Sequence, residues 1–130
     1  MPQGARSDAR LRPHPAERFA PDQIEIDLQM AIASLRSEPD AGEGGHRQQT
    51  LYRRGRSTIA LFAFDRFTHL REHKASGVVS MHVLRGRLKI TAEEHVHELG
   101  AGQLLVLAPD VPHAIAAEEE SEMLLSVHLT

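Results

Sequence analysis

The chain has no cysteine and no tryptophan, a single tyrosine, and only four phenylalanines among its 130 residues. Without cysteine there are no disulfides, no thiolate nucleophile and no sulfur-ligated metal. Aromatic residues make up 4%, too few for a platform on which nucleic-acid bases could stack. The net charge of −3 also argues against nucleic acid as a partner. No apolar run approaches the ~20 residues that span a bilayer, and the arginine-bearing N-terminus lacks the apolar core of a secretory signal. The expected location is therefore the cytoplasm, with no membrane partner. There is no glycine-rich phosphate loop and no serine elbow. Gly100-Ala101-Gly102 precedes a strand pattern rather than a helix and reads as a turn.

What is abundant is histidine, with nine in all, so imidazole is the natural ligand if a metal is bound. Hydrophobic residues make up 41% of the chain, enough for one globular domain with one modest core. Charge is uneven: nine Arg and Lys against eight Asp and Glu through Ser57, then six against ten.

Residues 1–23 hold four prolines and four arginines and are expected to form a flexible tail. Residues 24–130 are expected to form one domain. From about 27 to 36, Leu28, Ala31, Ile32 and Leu35 recur at helical spacing, with Asp27 placed to cap the first turn. Pro39 and the glycines at 42, 44 and 45 end this short N-terminal helix. From about residue 50 the pattern is of short strands with frequent turns: Thr50–Arg53, Thr58–Phe64, Val78–Leu84, Arg87–Thr91, Val96–Leu99, Leu104–Leu107, His113–Ala116 and Met123–Leu129. Such a succession predicts an all-β antiparallel sandwich or barrel. Arg47, Arg53, Arg54 and Arg56 crowd the first hairpin; they could bind an anion, and the ordinary alternative is a solvated face.

The stretch from His73 to His113 organises the rest. It resembles the paired motifs of the cupin superfamily, over roughly the last 80 residues. His73 falls on the first histidine of the first motif and Gly86 on its closing glycine; Gly102 and His113 fit the second motif. Ala75 stands where the second histidine belongs, Val79 replaces the glutamate, Phe67 the opening glycine and Ala117 the asparagine. Ala108 and Asp110 occupy the second motif's proline and glycine positions. The resemblance implies a cupin-like antiparallel β-barrel (double-stranded β-helix or jelly roll) and a homodimer, with Thr50–Phe64 the expected interface. It also implies a small molecule held in the barrel, beside a divalent metal (Fe, Mn, Ni or Zn) where the ligands suffice. The alternative it implies is a metal-dependent dioxygenase, isomerase or lyase acting on a small polar substrate.

His73 and His113 are thus the candidate pocket residues and candidate metal ligands. Two imidazoles hold a divalent ion weakly, because tight sites take three or four protein ligands. A third would come from His82, His69 or His128, or from Glu72 if its strand begins irregularly. If Val79 faces inward, parity sends Met81 and Val83 inward and His82 outward. His95 and His97 flank Val96 with the spacing that shares a strand face, but among Glu94 and Glu98 they read as a surface pair. His14 and His46 lie in polar stretches and carry no expected role.

Overall fold

The computed structural model describes residues 20–39 and 45–130. One helix, α1 (Leu28–Arg36), precedes nine strands. These are β1 (His46–Arg54), β2 (Ser57–Phe64), β3 (Thr68–His73), β4 (Gly77–Arg85), β5 (Arg87–Ala92), β6 (His95–Gly100), β7 (Leu104–Leu107), β8 (His113–Ala117) and β9 (Ser121–Leu129). They form two antiparallel sheets, one ordered β1-β2-β9-β4-β7 and the other β3-β8-β5-β6. Both contribute to one core. Phe62, Phe64, Val79, Met81, Val83 and Met123 come from the first sheet; Leu88, Ile90, Ile115 and Ala117 come from the second. This is the expected all-β jelly-roll architecture with an N-terminal helix.

Strand alternation places most side chains. On β4, Val79, Met81 and Val83 are buried while Ser80, His82 and Leu84 face outward and are half-buried. Helix α1 is capped at Asp27, whose carboxylate accepts from the Met30 N–H at 3.1 Å. It ends at Ser37, before Pro39 and well before the glycines expected to end it. Its apolar face, Ala31, Ile32 and Leu35, covers Leu61 and Ala63 on the outside of the first sheet. A polar clasp closes the same contact. The fully buried Glu122 carboxylate accepts from Arg36 Nη2 at 2.7 Å and from Arg85 Nε and Nη2 at 2.6 Å each. Arg36 Nη2 also donates to the carbonyls of Phe64 and Ser121.

Strand β3 was not expected, because Thr68–His73 carries alternating charge rather than an apolar stripe. β1 begins at His46, four residues before the expected Thr50, and its first ring stacks on Phe62 with centroids 5.9 Å apart. His46 therefore belongs to the core face of β1 rather than to a polar stretch. The arginine cluster is dispersed among protein acceptors: Arg47 pairs with Asp65, Arg53 donates to Thr58 Oγ1, Arg54 pairs with Asp22 and Arg56 donates to the Thr130 carbonyl. Of the expected tail, residues 1–19 lie outside the described residues. Pro21 accepts from Tyr52 Oη at 2.6 Å, so the chain just before the helix docks on β1. Thr50–Phe64, the expected dimer interface, offers a free backbone edge only along β1, since β2 pairs on both sides.

Two positions where the cupin resemblance asks for glycine have the backbone of glycine without the residue. Phe67 has φ of 63° and Asp110 has φ of 66°. Aspartate tolerates this left-handed conformation, but a bulky aromatic is strained in it. Phe67 is also 71% exposed, so its ring recovers little by burial. Phe67→Gly is expected to raise stability by about 0.5–1 kcal/mol in chemical denaturation.

Glu122 supplies a second test. Burial alone would raise its pKa, but hydrogen bonds from Arg85 and Arg36 outweigh burial and hold it below its ordinary value of 4.5. Its contribution is complete above that ordinary value and is lost as pH falls through the lower folded value. Glu122→Ala should cost about 3 kcal/mol at neutral pH, because it strands the arginines, and should remove part of the acid limb of the stability curve.

Candidate functional site

The strands of the second sheet end at one mouth of the barrel, and there the alternation of β3 breaks. Leu70 pairs with Ile115 and His73 with His113, so three steps along β3 match two along β8. The extra residue is a β-bulge. Simple alternation from Leu70 would turn Glu72 to the inner face; the bulge brings His73 there instead, directly opposite His113. The two imidazole centroids lie 4.4 Å apart with the planes at 60°. His113 is 2% exposed and forms the inner member; His73 is exposed at the rim. The loop before β8 is anchored by the Asp110 N–H, which donates to the Ala75 carbonyl at 2.8 Å.

Each ring is fixed in the same way. His73 Nδ1 lies 3.0 Å from the Arg71 carbonyl oxygen, and His113 Nδ1 lies 3.0 Å from the Val111 carbonyl oxygen. A carbonyl only accepts, so each Nδ1 must carry the hydrogen. The neutral ring then presents a bare lone pair at Nε2. Neither Nε2 has a hydrogen-bond partner among the described residues. Burial, together with the neighbouring His73, lowers the pKa of His113 below 6.5, against a smaller opposing contribution from the Val111 carbonyl. His113 is therefore neutral at physiological pH, and its Nε2 accepts hydrogen bonds.

The other candidates do not reach this pair. His82 faces outward on β4, as parity requires. His69 pairs with Ala116, one step out of phase with the inward Leu70, and is exposed. His128 lies on the outer face of β9 opposite Val78, and its Nδ1 is 3.1 Å from Ser57 Oγ. Ala75 packs against the core edge and Val79 is buried within it, so the two positions that would supply the remaining cupin ligands carry no donor atom. Among the described residues no group of three or more His, Asp or Glu side chains is placed to hold a metal. The donor set at the mouth does not fit a divalent ion held by three or four protein ligands.

Sequence reasoning set His95 and His97 aside as a surface pair. His95 is exposed, as expected, and His97 is half-buried; by pairing both lie on the phase of β6 that continues the core face, His95 opposite Ala92, His97 opposite the buried Ile90 and Leu99 opposite the buried Leu88. The buried stripe of β5, carried across the Glu93-Glu94 turn by hairpin pairing, is the signal that assigns their strand phase.

A two-sheet barrel with imidazoles at one mouth is the cupin architecture, and solved cupins share it. A cupin superfamily protein from Desulfitobacterium hafniense matches with a TM-score of 0.69 at 22% identity, covering 85% of this chain and 94% of that one. A conserved protein of unknown function from Streptococcus pyogenes matches at 0.63 and 26% identity, over 70% of this chain and 80% of that one. A mutant salicylate 1,2-dioxygenase from Pseudoaminobacter salicylatoxidans matches at 0.64 and 13% identity, over 78% of this chain but only 31% of that one, and so shares the fold alone. No curated protein sequence matches the chain significantly. Residues 60–126 match the model of the AraC-like ligand-binding domain, and the chain belongs to that family within the cupin superfamily. No helix among the described residues is long and apolar enough to cross a membrane.

The lowered pKa of His113 gives a sign that can be checked. A histidine that resists protonation when folded destabilises the protein as pH falls from its ordinary value of 6.5 towards the lower folded value. His113→Gln, which keeps a polar group but does not titrate there, should flatten the stability curve over that interval in denaturant titrations.

Proposed function

We propose that this protein is a small-molecule binding module whose ligand enters the barrel mouth and is held by the Nε2 atoms of His73 and His113. One observation carries the reading: two adjacent imidazoles, each with Nδ1 3.0 Å from a backbone carbonyl oxygen, which leaves two neighbouring Nε2 atoms without described partners. Membership of a ligand-binding domain family supports it. The acceptors favour a ligand that donates hydrogen bonds, such as a hydroxyl or ammonium group. A carboxylate would face lone pairs unless the rings were charged, so the anionic ligand suggested by the arginine cluster is the weaker fit.

Metal-dependent oxygenase, isomerase or lyase chemistry finds no support in the donor set, with Ala75 and Val79 where two further ligands would stand. The likeness to a dioxygenase extends to the fold and no further.

Thermal-shift screening of small polyols, amines and carboxylates should find ligands among the hydrogen-bond donors. His73→Ala and His113→Ala should each weaken such a ligand about tenfold, the worth of one well-placed hydrogen bond. Ligands indifferent to both substitutions would overturn the reading. So would near-stoichiometric iron, manganese, nickel or zinc, lost in both variants, in elemental mass spectrometry of the purified protein.

A further inference from the structure

Cross-strand pairing puts more at this mouth than the two histidines. His73 pairs with His113, His113 with Ala92, and Ala92 with His95, so these four residues form one row across the second sheet. Paired residues share a face. The face is the inner one, because His113 and Ala92 are both buried. One step deeper on the same strand, His97 is half-buried opposite Ile90. The centroids of His95 and His97 lie 6.4 Å apart. Neither ring has a hydrogen-bond partner among the described residues.

The row therefore carries two imidazoles at one end and His95 at the other, with His97 one step deeper and the methyl group of Ala92 between the ends. His113 and His95 sit on strands two apart, a separation of about 10 Å at the usual strand spacing. Ala92 is itself buried among the core residues, and its methyl group is the smallest side chain that the row could carry between the two ends. The ends also differ. At His73 and His113 the carbonyls commit Nδ1 and leave only an acceptor. No backbone carbonyl holds His95 or His97, so either ring can turn and take either tautomer, and each can donate or accept.

We propose that His95 and His97 form a second contact subsite for the ligand held at His73 and His113. The site would then select elongated molecules with a hydrogen-bond donor at one end and a polar group of either kind about 10 Å away. The proposal rests on the binding reading given above and adds the residues that would set ligand length.

The test follows imidazole resonances by long-range nitrogen–proton correlation at neutral pH, with two probes. One is hexane carrying a hydroxyl at each end, whose extended length is comparable with the gap; the other is hexanol, with a single hydroxyl. The terminal diol should shift all four rings with one common dissociation constant, and hexanol, whose single hydroxyl reaches one pair at a time, should shift His73 and His113 with a weaker one. His95→Ala with His97→Ala should weaken the diol about tenfold and leave hexanol unchanged, since the lost contact is worth about one hydrogen bond. The conservative His97→Asn should restore part of the loss. If the diol shifts only His73 and His113, or binds the double variant as well as the parent, the second subsite is wrong while the first stands. If neither probe shifts any ring, both are wrong. Both histidines lie on an edge strand, so amide spectra of the variants should overlay on the parent away from β6.

Discussion

Side chains on a β-strand alternate between faces, and this molecule is arranged around where that alternation holds and where it fails. It holds on β4, where Val79, Met81 and Val83 build the core and His82 is turned out. It holds on β5 and across the hairpin to β6, which is why Leu88, Ile90 and Ala92 bring Leu99, His97 and His95 to the same face. It fails on β3, where one extra residue exchanges Glu72 for His73 at the mouth. Without the bulge a carboxylate would stand beside His113, and the chemistry of the site would be that of a proton-sharing acid and base. With it, two imidazoles converge, and both are oriented by the backbone carbonyls two residues before them.

Much of this was legible in the sequence. The glycine-punctuated strands gave the architecture, Asp27 and the apolar spacing gave the helix, and the positions of His73 and His113 gave the mouth. Parity from an inward Val79 points His82 outward, and the structure agrees, so its place among the candidate third ligands does not stand. What was not legible is instructive. Thr68–His73 has the composition of a loop because β3 is an edge strand, one side of which is solvated. A bulge leaves no mark in composition. His95 and His97 were hidden among glutamates for a similar reason, since β6 is the other edge of the same sheet. Local polarity reported the solvated side of each edge strand, whereas hairpin pairing with a buried neighbour decides the face.

The two glycine positions filled by Phe67 and Asp110 show that backbone geometry can outlast the residue that usually supplies it. Both remain left-handed, and the second still positions the loop that delivers His113. The ligand positions behave differently. Ala75 and Val79 offer carbon where nitrogen and oxygen would be needed, so the fold is kept while the donor set for a metal is not. The helix is a separate device, fastened by the buried Glu122 between Arg36 and Arg85 on the outside of the first sheet, away from the mouth.

The central claim is that His73 and His113 present acceptor-only Nε2 atoms into the barrel mouth, and tautomer assignment tests it most directly. A long-range nitrogen–proton correlation spectrum of the unliganded protein distinguishes the three states of every imidazole. Both rings should show the Nδ1–H tautomer at neutral pH, and His113 should stay neutral as pH is lowered through the ordinary histidine value. If either ring carries its hydrogen on Nε2, or if His113 charges at or above that value, the acceptor pair does not exist and the account of the site fails.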